Sequence, residues 1–227
     1  MDFIKGEVLL FNKPYGWTSF QLVNKIRFTI KHERKIKKIK VGHAGTLDPL
    51  ATGLVILCTG QETKNIERYQ NLVKEYIATF RLGATTPSFD LETEIDGNFP
   101  YDHVNEEMLK EALTKYTGEI VQEPPAFSAK FVDGVRAYKY ARKGKEIKLS
   151  GQKITIQSLE VLSFSLPYFT LRIVCSKGTY IRALARDIGK SLKSGAHLTD
   201  LKRQRIGEFR VENAFNIEEF ERNLVFL

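Results

Sequence analysis

A single acidic residue stands in the segment GHAGTLDPLATGLVIL, which covers residues 42 to 57. An ionised carboxylate among small and apolar residues is costly unless other groups stabilise it, because such surroundings cannot replace its hydration. Pro49 disfavours the helical conformation at Asp48, and the three glycines allow tight turns, which together predict a loop that displays one carboxylate. The segment alone leaves two interpretations open: a surface turn, or a working carboxylate supported from elsewhere in the chain.

Arg182, in the segment KGTYIRALARDIG, is a candidate for that support. Apolar residues repeat at helical spacing through this segment, and Thr179 is the predicted N-cap, so Arg182 falls in the first helical turn. A cation there opposes the helix dipole at a cost of up to about 1 kcal/mol. Either the arginine bends outward and pairs with an acid such as Asp187, or it meets Asp48 across the fold and stabilises its carboxylate.

Other kinds of catalytic site do not fit these residues. A P-loop needs Gly-Lys-Ser/Thr after its glycines, and a serine hydrolase needs Gly-x-Ser-x-Gly, which the chain lacks. Most glycosidases need two carboxylates, and this loop has one. The two cysteines form no Cys-x-x-Cys pair and the four histidines are scattered, so we expect no metal and no cofactor. A single nucleophilic or basic aspartate remains as the catalytic hypothesis.

Basic residues are concentrated in two segments of a chain whose net charge is +8. Residues 31–40 hold six lysines and arginines and residues 130–153 hold eight, whereas residues 88–107 hold seven acids and no lysine or arginine. Each segment alone is typical of solvated surface, but two basic segments in a basic protein favour a polyanionic partner such as nucleic acid.

Two further features indicate where the protein acts. No apolar run approaches the roughly 20 residues that span a membrane, and the N-terminus lacks a signal-peptide pattern. We therefore expect a cytoplasmic protein with no membrane partner.

The order of the elements predicts an α+β fold. A strand ends at Pro14, and Thr18 with Gln21 forms a capping box that begins a helix. LVILC reads as a buried strand, KEYIATFRLG alternates as a half-buried strand, and two later strands are joined through Leu166-Pro167-Tyr168. Strands and helices do not alternate regularly, which favours α+β over a parallel α/β arrangement.

Six motifs follow one another along the chain: FNKPYGWTS, GHAGTLDPLATG, KEYIATFRLG, QEPPAFSA with GVRAYKYARKG, KGTYIRALARDIG and GAHLTDLKRQRIG. In this order they resemble the motifs of the TruB family of tRNA pseudouridine synthases. The resemblance implies the pseudouridine synthase fold, with a central mixed and mostly antiparallel sheet flanked by helices. It also implies a basic insertion at about residues 123–153 that contacts RNA, and an isomerase that converts uridine 55 in the T-loop of tRNA to pseudouridine.

The resemblance also assigns roles to individual residues. Asp48 is the implied nucleophile, attacking the ribose or the base, and Arg182 is its implied partner. Tyr76 is implied to stack on the target base and to help move the ribose proton. Three more residues are implied to line the pocket or hold the flipped nucleotide: His43, Tyr180 and Leu201.

Two departures from the family pattern affect RNA binding more than chemistry. The chain is expected to form one catalytic domain, residues 1–227, without the PUA domain that family members usually carry at the C-terminus. In the insertion, the family's usual lysine position is shifted, so that Lys130 precedes Phe131. We expect a monomer that binds the T-stem-loop of tRNA. An RNA chaperone of the same fold and a synthase guided by a small RNA are the alternative functions.

Overall fold

The computed structural model describes residues 1–128, 130–132, 134–145, 147 and 149–224. Two compact units divide the chain: the first joins Met1–Tyr76 with Leu201–Leu227, and the second is Ile77–Asp200. Within the described residues, no helix is both long and apolar enough to cross a membrane.

The described strands, in chain order, are β1 (Val8–Lys13), β2 (Val41–His43), β3 (Thr52–Thr59), β4 (Lys74–Leu82), β5 (Ala84–Thr85), β6 (Gly97–Asn98), β7 (Gly118–Gln122), β8 (Phe131–Val132), β9 (Val135–Arg136), β10 (Gln152–Ser165), β11 (Tyr168–Cys175), β12 (Ala196–Ile206) and β13 (Phe209–Arg210). The α-helices are α1 (Ser19–Glu33), α2 (Ile66–Gln70), α3 (Glu106–Thr114), α4 (Ala137–Ala141), α5 (Ile181–Ser191) and α6 (Ile217–Leu224). Two 3₁₀ helices cover Gly60–Asn65 and Val211–Asn213. The division between the units falls inside β4 and β12, so each unit holds part of both strands.

The sheet of the first unit is built around the buried strand β3. β1 runs antiparallel to β3 from the pair Val8–Cys58 to the pair Lys13–Gly53, and β2 is also antiparallel to β3. The end of β12 is parallel to β3 and pairs Arg203 with Gly53. The core on β3 is a cluster of buried residues, Ala44, Leu54, Ile56, Cys58, Tyr69, Ile206 and Val211. The prediction that LVILC is a buried strand is confirmed.

Helix α1 begins as the sequence predicts. The Thr18 hydroxyl accepts a hydrogen bond from the Gln21 backbone N–H (3.0 Å), and the Gln21 side chain accepts one from the Thr18 N–H (2.8 Å). This reciprocal capping box satisfies two of the N–H groups that a helix start leaves unpaired. The buried face of the helix contains the apolar residues Leu22, Val23, Ile26 and Ile30.

In the second unit, the strands of the large sheet follow the order β12, β4, β11, β10, β7, whereas β5 pairs with β6 and β8 pairs with β9 in separate two-stranded sheets. β10 is antiparallel to both β11 and β7, and β10 and β11 are joined through Leu166 and Pro167 as predicted. Side chains of β4 alternate between buried and half-buried, and Phe80 stacks on Phe169 of β11 with ring centroids 4.9 Å apart. The α+β prediction, with a mostly antiparallel sheet, is confirmed.

One local prediction needs correction. Helix α5 begins one residue later than predicted: Tyr180 and not Thr179 occupies the N-cap position, and the Thr179 hydroxyl donates to the Ser176 carbonyl oxygen (3.1 Å). Arg182 still lies in the first turn of α5.

Gly53 is required where β3 meets β12. Its φ is +103°, and a Cβ placed there would lie 2.3 Å from the Arg203 carbonyl oxygen. Any side chain at this position would therefore overlap the β12 backbone.

Gly16 is a matched control for Gly53. It has a similar φ of +80° with open space around it, so Gly16→Ala should cost only the backbone penalty of about 1–2 kcal/mol. We predict that Gly53→Ala lowers the free energy of unfolding by about 1–3 kcal/mol more than Gly16→Ala, because overpacking is added. Urea unfolding measures both values, and equal losses would contradict the steric argument.

Candidate active site

The predicted catalytic loop joins β2 to β3 in the first unit, and Asp48 is half-buried within it. The Asp48 carbonyl oxygen accepts a hydrogen bond from the Ala51 N–H at 3.1 Å, which closes a turn over Pro49. The buried Ser19 hydroxyl both donates to the Leu47 carbonyl oxygen (3.0 Å) and accepts from the Leu47 N–H (2.9 Å). The residue before Asp48 is therefore tied to the first residue of α1.

Lys13 lies under the same loop and is 0% exposed. Its Nζ donates to three backbone carbonyl oxygens, those of Pro14 (2.9 Å), Trp17 (2.6 Å) and Pro49 (3.3 Å). Burial lowers the pKa of Lys13 to about 8, with the Asp48 charge opposing this shift and the Arg203 charge adding to it. Lys13 thus connects the end of β1 to the residue that follows Asp48.

Arg203 is another buried cation of the first unit and is 1% exposed. Its guanidinium donates to the carbonyl oxygens of Leu54 (Nε, 2.7 Å), Thr46 (Nη1, 3.2 Å) and Gly45 (Nη2, 3.3 Å). Three carbonyl groups on both sides of Asp48 are thereby held by one planar side chain. Arg203 was not among the residues predicted from the sequence, although alternation along β12 places it two residues after the buried Leu201.

His43, at the end of β2, is half-buried in the same unit. Burial lowers the pKa of its imidazole; a backbone hydrogen bond involving Gly45 opposes the shift, and the Arg203 charge adds to it. The imidazole is therefore neutral at physiological pH. Among the residues that the structure describes, nothing forms a hydrogen bond with its buried Nδ1.

The first unit contains four of the predicted site residues: His43, Asp48, Tyr76 and Leu201. Tyr76, on β4, and Leu201, on β12, are both buried. The other two, Tyr180 and Arg182, belong to the second unit.

Arg182 is buried in the second unit, with 5% of its surface exposed. Its Nη1 and Nη2 donate to the carbonyl oxygens of Ser88 (3.2 Å) and Phe127 (2.9 Å), and its Nε lies 3.4 Å from the Asp90 carboxylate. The interpretation of an outward arginine is therefore wrong. Asp187 instead pairs with Arg186 at 2.7 Å. The pairing of Arg182 with Asp48 stays a prediction.

Asp90 is a buried acid in residues 88–107, the acidic segment whose composition is typical of solvated surface. One carboxylate oxygen accepts from the Glu92 N–H (2.9 Å), and the other faces Arg182. The hydroxyls of Thr86 and Ser88 donate to the Asp90 carbonyl oxygen at 2.7 and 3.3 Å. The small and hydroxyl residues around Asp90 were a weak signal of this turn, because such residues also occur in solvated loops.

Tyr180 connects α5 to β7 through its backbone. Its N–H donates to the Gln122 side-chain oxygen (2.8 Å), and the Gln122 amide donates to the Tyr180 carbonyl oxygen (3.1 Å). Gln122 is buried, so this pair of bonds sets where the helix begins and where Arg182 projects.

The basic insertion predicted at residues 123–153 contains the hairpin of β8 and β9 and the helix α4. Within the described residues of the insertion, Lys130 donates to the Ser150 carbonyl oxygen (2.9 Å), and the Arg136 guanidinium lies over the Phe131 ring at 4.2 Å. Ala129, Asp133, Glu146 and Lys148 lie outside the described residues.

Comparison with known proteins identifies the family of the chain. Residues 31–181 match the model of the TruB family pseudouridylate synthase N-terminal domain, and residues 182–227 match that of the tRNA pseudouridylate synthase B C-terminal domain. The chain belongs to the TruB family. TruB proteins are pseudouridine synthases, so the predicted isomerase class is confirmed.

Two TruB relatives match nearly the whole chain. A protein of Phocaeicola vulgatus named tRNA pseudouridine synthase B is 58% identical over 220 residues, which are 97% of this chain and 94% of the relative. A protein of Flavobacterium johnsoniae with the same name is 51% identical over 224 residues, 98% of each chain.

Solved structures confirm the predicted pseudouridine synthase fold. A chain in a Cbf5-Nop10-Gar1 complex is similar with a TM-score of 0.72 and 26% identity, over 99% of this chain and 56% of that one. A chain in an H/ACA RNP bound to a substrate RNA containing 2′-deoxyuridine is similar in fold, with a TM-score of 0.70 and 24% identity. The match to the H/ACA RNP chain covers 99% of this chain and 55% of that one. This chain therefore spans just over half the length of each of the two solved chains.

The lowered pKa of Lys13 predicts a pH dependence of stability. Between pH 8 and the usual pKa of 10.5, the unfolded chain holds a proton at Lys13 that the folded chain has lost. The free energy of unfolding therefore rises with pH in this window. We expect wild type to gain about 2 kcal/mol relative to Lys13→Met between pH 8 and pH 10 in urea unfolding. Parallel pH profiles of the two proteins would disprove this role of Lys13.

Removal of the Asp90 charge should destabilise the fold. Asp90→Asn removes the carboxylate that lies 3.4 Å from the buried Arg182 Nε, and we predict a loss of about 1.5–3 kcal/mol in the free energy of unfolding. Glu92→Gln is the matched control, because Glu92 pairs with Arg142 at 2.6 Å near the surface and should cost less than about 1 kcal/mol. Chemical denaturation checks both variants; a loss for Asp90→Asn no larger than that for Glu92→Gln would refute the buried ion pair.

Proposed function

We propose that this protein converts uridine 55 in the T-loop of tRNA to pseudouridine, with Asp48 as the nucleophile. The observation that carries this proposal is the half-buried Asp48 in a loop whose backbone is held by Lys13, Ser19 and Arg203. Membership of the TruB family and the name tRNA pseudouridine synthase B of relatives that are 51–58% identical support the substrate.

The reaction is an isomerisation, so no atom enters or leaves overall. The bond between uracil N1 and ribose C1′ breaks, the base turns, and a bond forms between C5 and C1′. The proton of C5 is lost and N1 gains one. Asp48 attacks the ribose or the base and is released at the end, which is why one carboxylate is sufficient.

The other predicted residues act around Asp48 in this proposal. Arg182 is the cation that stabilises the Asp48 carboxylate, and Tyr76 stacks on the target base and helps to move the ribose proton. The remaining three line the pocket or hold the flipped nucleotide: His43, Tyr180 and Leu201. A neutral His43 fits this role, because its lowered pKa leaves ring nitrogens for hydrogen bonds without adding charge.

The target base must leave its stack before it can react, which costs a few kcal/mol. Stacking and hydrogen bonds in the pocket offset this cost. Phosphate contacts to the basic insertion and to the other basic segment supply the rest of the binding free energy. We therefore propose the T-stem-loop as the part of tRNA that the active site recognises.

Asp48→Asn tests the nucleophile directly. The amide keeps the shape of the side chain but not its nucleophilic charge, so we expect pseudouridine formation to fall by more than about 10³-fold. Binding of unmodified tRNA should be unchanged. Asp102→Asn, at an exposed acid of the second unit, is the control and should retain wild-type activity. A normal rate for Asp48→Asn would remove Asp48 from the chemistry.

The wild-type reaction also distinguishes this function from the two alternatives. The purified protein is incubated with an unmodified tRNA transcript or with a T-stem-loop transcript, and pseudouridine is mapped along each. Modification of uridine 55 in both RNAs supports the proposal. A requirement for an added guide RNA, or binding without modification, would favour the guided synthase or the chaperone.

A further inference from the structure

The outward side of α1 displays two phenylalanines to solvent. Phe20 is 63% exposed and Phe28 is 66% exposed, although phenylalanine is among the residues most often buried. The opposite side of α1 contains the buried Leu22, Ile26 and Ile30, so the core of the first unit does not use either ring. Helical geometry places Asn24, Arg27 and Lys31 on the same side as the two rings. We call these five residues, Phe20, Asn24, Arg27, Phe28 and Lys31, the outer face of α1.

Exposed basic residues follow Phe28 at the end of the helix and beyond it. Lys31 is exposed, and beyond the helix the chain continues with the exposed Lys35, Lys37 and Lys38. Glu33 is the one acid between Thr18 and Lys40 in the sequence. Its carboxylate lies 3.0 Å from the His32 imidazole, on the helix's last turn. The outer face of α1 therefore combines aromatic rings with an excess of cations.

Aromatic rings next to cations are the side chains expected of a surface that binds unpaired RNA. Proteins that bind single-stranded nucleic acid place basic groups along the phosphates and aromatic rings under the bases. Phe28 lies eight positions after Phe20, which corresponds to about 12 Å along a helix. Two rings at that distance can each take a base of one unpaired segment, while Arg27 and Lys31 lie within reach of its phosphates.

Other occupants fit the outer face of α1 less well. A second copy of this chain would bring Arg27 and Lys31 against the same cations, and like charges oppose each other across an interface. A membrane surface needs a continuous apolar face, but the apolar face of α1 is buried in the core.

The same helix is connected to the predicted catalytic loop. Ser19, which precedes Phe20, forms both hydrogen bonds with Leu47, the neighbour of Asp48. RNA on the outer face of α1 would therefore begin close to the loop and continue away from it along the helix. A segment at Phe28 and Lys31 is then separate from the base that reaches Asp48.

We propose that the outer face of α1 binds unpaired nucleotides of the substrate tRNA outside its T-arm. Bases stack on Phe20 and Phe28, and phosphates pair with Arg27 and Lys31. This inference rests on the proposed function, because tRNA is the substrate only under that proposal. It adds a second contact region that raises affinity for whole tRNA and leaves the chemical step unchanged.

The test compares whole tRNA with an isolated T-stem-loop. In the double variant Phe20→Ala/Phe28→Ala, we expect the Kd and KM for whole unmodified tRNA to rise at least about fivefold with kcat unchanged. The Kd for the T-stem-loop should stay at its wild-type value. The control is Ile4→Ala/Lys5→Gln, which changes two exposed residues of the same unit and should bind both RNAs normally.

Single substitutions at Phe28 separate stacking from simple apolar contact. Phe28→Trp keeps an aromatic ring, so it should bind whole tRNA as wild type does, with its fluorescence quenched. Phe28→Leu keeps apolar volume without a π-face and should weaken binding in the same direction as the double variant. Equal affinity of the Leu and Trp variants would exclude stacking.

Several results would overturn the proposal. Wild-type affinity of the double variant for whole tRNA would do so, and so would an equal loss of affinity for the T-stem-loop. A change from dimer to monomer in sedimentation, with tRNA affinity unaltered, would assign the face to contact between copies. Failure of the wild type to modify any tRNA would refute the proposed function alone, since tRNA binding by the same variants still tests the outer face of α1.

Discussion

The arrangement of the first unit depends on two buried cations that hold the backbone of one loop. Lys13 and Arg203 donate to carbonyl oxygens before and after Asp48, and both are almost completely enclosed. Burial of each charge costs several kcal/mol, and hydrogen bonds to the backbone carbonyl oxygens offset this cost. The same bonds give the loop a defined conformation, which is what a catalytic carboxylate requires.

In the second unit a buried arginine also donates to backbone carbonyl oxygens, and here a buried carboxylate lies beside it. Arg182 donates to two backbone carbonyl oxygens, and the buried Asp90 carboxylate lies against its Nε. Asp90 is itself held by the hydrogen bonds of its own turn. The helix dipole disfavours a cation in the first turn of α5, and these contacts offset that cost. An arginine with so many partners has little rotamer freedom, so its charge is held in one place.

The sequence predicted those parts of the fold in which local pattern and burial agree. The capping box at Thr18, the buried strand β3 and the alternation of β4 are short-range features, and each forms as predicted. The same reasoning did not find Arg203 or Asp90. Their burial depends on carbonyl groups and a guanidinium brought from distant parts of the chain, and composition alone made both look like ordinary surface charges. The Thr179 cap was wrong by one residue, because the helix begins after Tyr180, whose backbone is held by the Gln122 side chain from a distant strand.

Helix α1 shows how one element can have two separate tasks. Its buried face packs in the core and its first residue holds Leu47, so its position is determined by contacts that leave the outer face of α1 unused. Substitutions on an exposed face rarely change stability by more than about 0.5 kcal/mol. The outer face can therefore vary to suit an RNA while the loop beside Asp48 keeps its geometry. The separation of the two faces lets affinity for RNA change independently of the chemical step. The contact with the loop that carries Asp48 comes from the buried Ser19, which bonds Leu47, and not from the outer face of α1.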